Sequence, residues 1–409
     1  MPTEISTTDM QIFPKEEIIP GGQENSRAEF LAACPEGKRP GLYLHIPFCG
    51  SKCRYCNFFS VTGKQKIPAF LTSLYQEVLL QRRVFDSFDT LYIGGGTPSI
   101  LTPLQLADLL SHLRQNFEFT EDAEVTLEVN PADIDVSFLE QIRLLGINRL
   151  NIGSQSFEDK ILDFLGRRHS SNQALQAIMA ARQAGFDNFG IDLIYGIPGQ
   201  NRHSWKMTLE QVLSLKIPHL SCYQLTVEPD TPLGKACAQG LFKMPDNDEL
   251  FEFFMETSEF LEDAGYCHYE VSNFALGACR ISRHNSKYWQ HIPYLGLGPA
   301  AHSFDGKKRW ENVRSLDSYL LRLSRGERPV ENCEILTEDE LQLETLFLGF
   351  RTKAGIDLKS FSEKFGFDLW TKKKHALEPL LAAGHLKITA GRLQPTRTGM
   401  ALADSLALL

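Results

Sequence analysis

Cys49, Cys53 and Cys56 stand in a C-x3-C-x2-C run directly behind a short apolar stretch, 42–46, that reads as a strand ending at Pro47. Three thiolates on one tight loop can ligate three irons of a cubane iron–sulfur cluster. Such cubanes ordinarily take four cysteines, so a three-cysteine loop leaves one iron open to an exchangeable ligand. Zinc would ask for four nitrogen or sulfur ligands, commonly as two spaced pairs, and no second pair lies nearby. A disulfide would leave one thiol over.

Other residues of chemical use recur along the chain. Gly94, Gly95, Gly96, Thr97 and Pro98 follow a second strand. Glycines let the backbone approach a ligand and expose its N–H and C=O groups, although a plain turn reads the same way. Glu128 ends a third strand, Gln155 lies just past a fourth, Arg167 follows, and Asp192 sits on a fifth. An acid near a barrel mouth can accept hydrogen bonds from ribose hydroxyls, and an arginine can pair bidentately with a carboxylate. Each could equally be a surface or supporting polar group. His284, Asn285, Tyr288 and Trp289 form H-N-x-x-Y-W. An imidazole can ligate iron, and the two aromatics offer flat apolar surface. Taken alone, the hexapeptide is a loop histidine with two packed aromatics.

These residues need a frame. From Gly41 the pattern repeats strand, loop, helix, with strands at 42–46, 90–93, 124–129, 149–153, 189–194 and 219–225. Six strands alternating with helices predict an α/β fold with a parallel sheet. Curled up, this is an incomplete (β/α)6 barrel, and the residues above fall at C-terminal strand ends, where barrels carry function. Gly146 and Gly185 stop two of the helices. Residues 1–39 read as an irregular lead-in, 40–325 as the partial barrel with the hexapeptide in an extension, and 326–409 as a C-terminal domain. From about Thr337 that domain shows three helical stretches and a small hairpin, a winged-helix-like α+β pattern.

Composition bounds the function. The chain has 409 residues, 43% of them hydrophobic, and a formal net charge of −9. That charge gives no electrostatic footprint for nucleic acid. Residues 337–409 hold ten Lys and Arg against nine Asp and Glu, so Lys372, Lys373 and Lys374 read as a solvated face, and DNA binding by the tail is disfavoured. No apolar run reaches membrane-span length, and the N-terminus lacks the basic start and apolar core of a secretory signal. A cytoplasmic location is expected, where nine cysteines need not pair.

The cysteine spacing, placed before the glycine turn, resembles the radical S-adenosylmethionine (radical SAM) superfamily. There the amino and carboxylate groups of SAM occupy the open iron of a 4Fe-4S cluster, and one electron cleaves SAM to methionine and a deoxyadenosyl radical. Over roughly residues 40–400 the chain resembles the oxygen-independent coproporphyrinogen III oxidases and their relatives. The resemblance implies Cys49, Cys53 and Cys56 as cluster ligands. It implies Tyr43, Tyr55, Gly95, Gly96, Thr97, Glu128, Gln155, Arg167 and Asp192 as SAM contacts, with the two tyrosines beside the cluster. Two departures from the oxidase stand out. The oxidase has a fourth cysteine two residues after the third, where this chain has Phe58, which cannot replace a thiol. The hexapeptide resembles the haem-binding signature of the HemW branch of haem chaperones, which implies haem contact by His284, Asn285, Tyr288 and Trp289. His45, His268, His302, Cys267 and Cys279 are rivals of His284 as iron ligand. The glycine-rich stretch 294–304 suggests close approach to the barrel mouth. Three readings follow. The first is a haem carrier in porphyrin metabolism that serves an acceptor haemoprotein. That acceptor is expected to be a membrane respiratory enzyme, with peripheral membrane contact through the partner and an electron donor for the cluster. The alternative is the oxidase itself, and the third is a DNA-binding redox sensor. SAM cleavage is left open by the resemblance.

Overall fold

The computed structural model describes residues 38–406. The lead-in expected at 1–39 lies outside the described residues except for Lys38 and Arg39, and Cys34 lies outside them. Strand β1 (Gly41–Ile46) turns Leu42, Leu44 and Ile46 to one side, all without exposed surface. Gly41, Tyr43 and His45 occupy the other side, because successive residues of a strand point to opposite faces. Leu42, Leu44 and Ile46 pack into the main apolar core with the helices; Tyr43 and His45 face the barrel interior.

Helix α1 (Ile67–Gln81) brings the chain back to β2 (Ser87–Gly95), which pairs with β1 in parallel, Tyr43 opposite Tyr92. The unit repeats through α2 (Pro103–Asn116), β3 (Glu118–Val129), α3 (Val136–Leu144) and β4 (Arg149–Gln155). It continues with α4 (Asp159–Leu165), α5 (Ser171–Gln183), β5 (Phe189–Tyr195), α6 (Arg202–Ser214) and β6 (His219–Gln224). Every neighbouring pair from β1 to β6 is parallel. The helix starts are encoded locally. Thr102 with Gln105, Ser170 with Gln173 and Asn201 with Ser204 exchange side-chain-to-backbone bonds that satisfy first-turn N–H groups. Gly146 and Gly185 end α3 and α5 at φ of 91° and 82°, a left-handed conformation that strains an L side chain.

The sheet is larger than six strands. After α7 (Pro232–Ala238) and α8 (Asn247–Asp263), β7 (Cys267–Glu270) and β8 (Asn273–Ala275) extend it antiparallel beyond β6. Helix α9 (Arg283–Trp289) then leads into β9 (Tyr294–Leu297), which pairs in parallel with the free edge of β1. Strands β10 (His302–Phe304), β11 (Lys308–Asn312) and, after α10 (Leu316–Ser324), β12 (Val330–Ile335) continue that edge antiparallel. The result is a mixed sheet of twelve strands among the described residues. Because β12 belongs to it, a boundary at residue 326 cuts off a strand of the large sheet.

The C-terminal unit has its own core. Helices α11 (Glu338–Gly349), α12 (Leu358–Phe365) and α13 (Leu369–Ala382) pack Leu346, Phe350, Phe361 and Phe365 against a small sheet. That sheet is formed by β13 (Ile356–Asp357), β14 (Leu386–Thr389) and β15 (Arg392–Pro395) in the order β13-β15-β14. Short helices α14 (Arg397–Ala401) and α15 (Ala403–Leu406) follow. The unit is pinned to the barrel where Glu262 of α8 accepts from Lys353 Nζ at 2.5 Å and Arg397 Nη2 at 2.8 Å. A second tie joins Glu344 to His291 and Arg309.

Candidate functional site

The cysteine loop leaves β1 at its C-terminal end and is strapped by backbone bonds. The Cys49 N–H donates to Val61 O at 2.9 Å, Val61 N–H to Pro47 O at 2.7 Å, and Arg54 N–H to Leu165 O at 3.1 Å. Cys49 is buried, Cys53 and Cys56 are half-buried, and all three thiols are free. Arg167 Nη1 lies 3.3 Å from Cys53 Sγ, and Thr97 Oγ1 3.5 Å from Cys49 Sγ. Burial pushes the Cys56 thiol up, and a backbone bond from Phe58 opposes this. Phe58 itself is 70% exposed beside this loop. Tyr55 packs against the small apolar cluster that contains Ile161, Leu165 and Leu233, and burial raises its hydroxyl pKa while Arg167 lowers it.

The glycine turn crosses directly beneath. Gly96 N–H donates to Ile46 O and Thr97 N–H to Phe48 O, both at 2.8 Å. A Cβ on Gly96 would come within 2.6 Å of Phe48 O, so only glycine fits there. Gly95 has φ of 108° and donates its N–H to Glu128 Oε2 at 3.1 Å. The other Glu128 oxygen accepts from Tyr92 OH at 2.7 Å. Burial pushes the Glu128 carboxyl up to about 7, the Tyr92 hydrogen bond lowers it, and Asp192 adds to the rise. Asp192 Oδ2 accepts from Asn151 Nδ2 at 2.8 Å, and burial pushes this carboxyl up to about 6. Gln155 ends β4 at φ of 66° with its side chain buried. Arg167 Nη2 donates to Gly153 O at 2.6 Å.

Two buried polar atoms at this mouth have no hydrogen-bond partner, Arg167 Nε and Asp192 Oδ1. Such atoms are costly unless a ligand satisfies them. With the free thiols, the arginine and the close-packed glycine turn, they fit a cubane on Cys49, Cys53 and Cys56 beside a polar, donor-rich ligand. No three His, Cys, Asp or Glu side chains among the described residues converge on a single-ion site; a cubane instead asks each thiolate for a different iron. Tyr43 OH is 3.1 Å from His45 Nδ1, and its ring lies on Tyr92, which donates to Glu128. Tyr92 and Asn151, which hold Glu128 and Asp192, are not apparent from the motifs.

The hexapeptide sits at the opposite end of the barrel. Helix α9 lies across the N-terminal ends of β1, β2 and β3. Arg283 pairs with Asp89 and Asp122, and Lys287 Nζ reaches Asp89 at 2.5 Å and Arg39 O at 2.6 Å. His284 is 1% exposed. Its N–H donates to Glu124 Oε1 at 3.0 Å, Nδ1 lies 2.8 Å from Thr90 Oγ1, and Nε2 lies 2.9 Å from Tyr288 OH. Burial pushes the imidazole down to about 3, so it is neutral. Both ring nitrogens are engaged, and the imidazole faces the barrel floor. The length of β1 separates this floor from the cysteine loop, about 17 Å at ~3.3 Å per residue. Asn285, Tyr288 and Trp289 are partly exposed on α9. Among the rival iron ligands, His45 and His268 are buried and bonded, Cys267 is partly exposed, and His302 and Cys279 are exposed. The glycine-rich stretch forms β9 and its turn, where a Cβ on Gly298 would meet His45 O at 2.4 Å. Its close approach is thus to β1.

Comparison with known proteins accords with this arrangement. Residues 43–212 match the radical SAM superfamily and residues 336–402 the HemN C-terminal domain. The protein named heme chaperone HemW in Mycobacterium tuberculosis is 35% identical over 92% of this chain and 95% of its own. That of Bacillus subtilis is 32% identical over 88% and 96%. The chain belongs to the HemW family of radical SAM proteins. Among solved structures, coproporphyrinogen III oxidase (HemN) from Escherichia coli, described as a radical SAM enzyme, superposes with a TM-score of 0.78. It is 25% identical and is matched over 93% of this chain and 92% of its own. Membership of the radical SAM superfamily implies SAM and a 4Fe-4S cluster. No helix among the described residues is long and apolar enough to cross a membrane.

Proposed function

We propose that this HemW-family chain is a haem chaperone that carries a SAM-ligated 4Fe-4S cluster and passes haem to an acceptor haemoprotein, a membrane respiratory enzyme. The observation that carries the reading is its near full-length similarity to proteins named heme chaperone. In this reading Cys49, Cys53 and Cys56 hold the cluster, and Arg167 offsets the thiolate charge. The backbone of Gly95, Gly96 and Thr97 grips SAM, and Glu128, Gln155 and Asp192 accept from its polar groups. A cluster with SAM on its open iron supplies one-electron cleavage of SAM when reduced. Haem lies on α9 against Tyr288 and Trp289, with Asn285 beside it. His284 reaches the iron only when released from Thr90 and Tyr288, so haem loading involves opening of the barrel floor.

The likeness to the oxidase structure favours a second reading, oxidative decarboxylation of coproporphyrinogen III to protoporphyrinogen IX. Phe58 weighs against it, since a phenyl ring exposed beside the cluster loop has no proton or hydrogen atom to exchange as a thiol does. Incubating cluster-loaded protein anaerobically with coproporphyrinogen III, SAM and reductant separates the two. No protoporphyrinogen is expected; its accumulation over many turnovers would establish the oxidase instead.

A further inference from the structure

The ring of Tyr92 stands between the hexapeptide and the SAM pocket. One face stacks on His284, with centroids 5.1 Å apart and planes at 28°. Its hydroxyl donates to Glu128 Oε1 at 2.7 Å, and the second oxygen of that carboxylate accepts the Gly95 N–H. Two residues earlier on the same strand, Thr90 Oγ1 bonds His284 Nδ1 at 2.8 Å. Consecutive inward positions of β2 therefore hold the imidazole at the floor and the carboxylate at the mouth. Thr90 and Tyr92 are both buried, and a buried, closely packed network transmits a displacement that water would otherwise absorb. Tyr92 braces both ends of it.

We propose that His284 and Tyr92 are positioning residues for the SAM site and couple it to α9. Drawing His284 off Tyr92 frees the ring, and a freed ring no longer fixes the Glu128 carboxylate. Haem on the hexapeptide then weakens SAM binding, and by linkage SAM weakens haem binding by the same factor. The inference rests on the proposed function in taking Glu128 as a SAM contact and α9 as the haem site.

The test is calorimetric SAM binding to cluster-loaded wild type, Tyr92→Phe, Glu128→Gln and the double variant, with and without haem. Tyr92→Phe keeps the ring and removes one hydroxyl, and thermal melts report its folding. A hydrogen bond to a charged group supports a loss of about tenfold in SAM affinity. If Tyr92 acts through Glu128, the double variant binds SAM no more weakly than Glu128→Gln alone, an outcome that general loosening of the fold would not produce. Haem weakens SAM binding to wild type about fivefold and has no effect on Tyr92→Phe, given coupling energies of this order. Wild-type SAM affinity in Tyr92→Phe, or additive losses in the double variant, would overturn the positioning role. An equal haem effect in wild type and Tyr92→Phe would overturn the coupling. Absence of any haem absorbance change in the same samples would sink the chaperone reading and the coupling with it, while the SAM arm still decides the positioning role.

Discussion

Cys53→Ala protein, reconstituted anaerobically with iron and sulfide, is expected to retain only background iron and none of the cluster's absorbance. The loop offers three thiolates to three irons and holds no fourth in reserve. Among the described residues, Cys222 is buried on β6, and Cys237, Cys267, Cys279 and Cys333 lie outside the loop on other segments. The substitution also leaves the Arg167 guanidinium facing no sulfur, and an uncompensated buried charge is itself costly. SAM affinity should fall with the cluster. Cys333→Ala, on exposed β12, should load as wild type does. Full cluster content in Cys53→Ala would show that the loop does not hold the cluster.

Glu77→Ala is expected to cost about 3 kcal/mol or more, because three buried donors lose their acceptor at about 1–3 kcal/mol each. Glu77 lies fully buried on α1. It accepts from Tyr319 OH at 2.6 Å, Asn312 Nδ2 at 2.6 Å and Gly298 N–H at 2.8 Å. Those donors come from α10, β11 and the turn after β9, so one carboxyl joins the added edge of the sheet to α1. Burial pushes this carboxyl up to about 7 from an ordinary 4.5, while the three donors pull it down. A folded-state pKa above the unfolded one means that the group's contribution is complete below about 4.5 and is lost as pH rises through 7. Wild type should therefore lose stability between pH 5 and pH 8 relative to a non-titrating Glu77→Gln chain. Denaturant midpoints across that range, with the alanine variant alongside, measure both effects. An alanine variant as stable as wild type would remove Glu77 as the joint.

The parallel barrel was legible because its signals are local. Its strands are short apolar runs alternating with helices, and Gly146 and Gly185 have the left-handed angles that a helix stop requires. The cysteine loop and the glycine turn then fall at C-terminal strand ends by topology alone, whereas the hexapeptide lies at the other end. The added edges were not legible. Strands β8 and β10 are three residues long, and β12 exposes nearly its whole length, so pairing with a neighbour rather than an apolar pattern makes them strands. The two-residue β13 has no sequence signal for the same reason. Tyr92 and Asn151 were hidden because the barrel strands are buried on both faces, which blurs the polar–apolar alternation that marks a lining residue. The position of His284 is set by contacts that no local pattern carries. Residue types proposed a ligand, but its burial is imposed by Thr90, Tyr92 and Glu124, which lie far away in sequence on β2 and β3.

The most direct test of the central claim is an anaerobic haem titration of the cluster-loaded chain, followed by its Soret absorbance, with His284→Ala in parallel. The account predicts saturable, stoichiometric binding to wild type and a marked loss in the variant, whose melting curve reports whether the floor still folds. Non-saturating binding to wild type would contradict the chaperone reading. Equal, saturable binding by both proteins would keep haem as cargo but move its site away from α9.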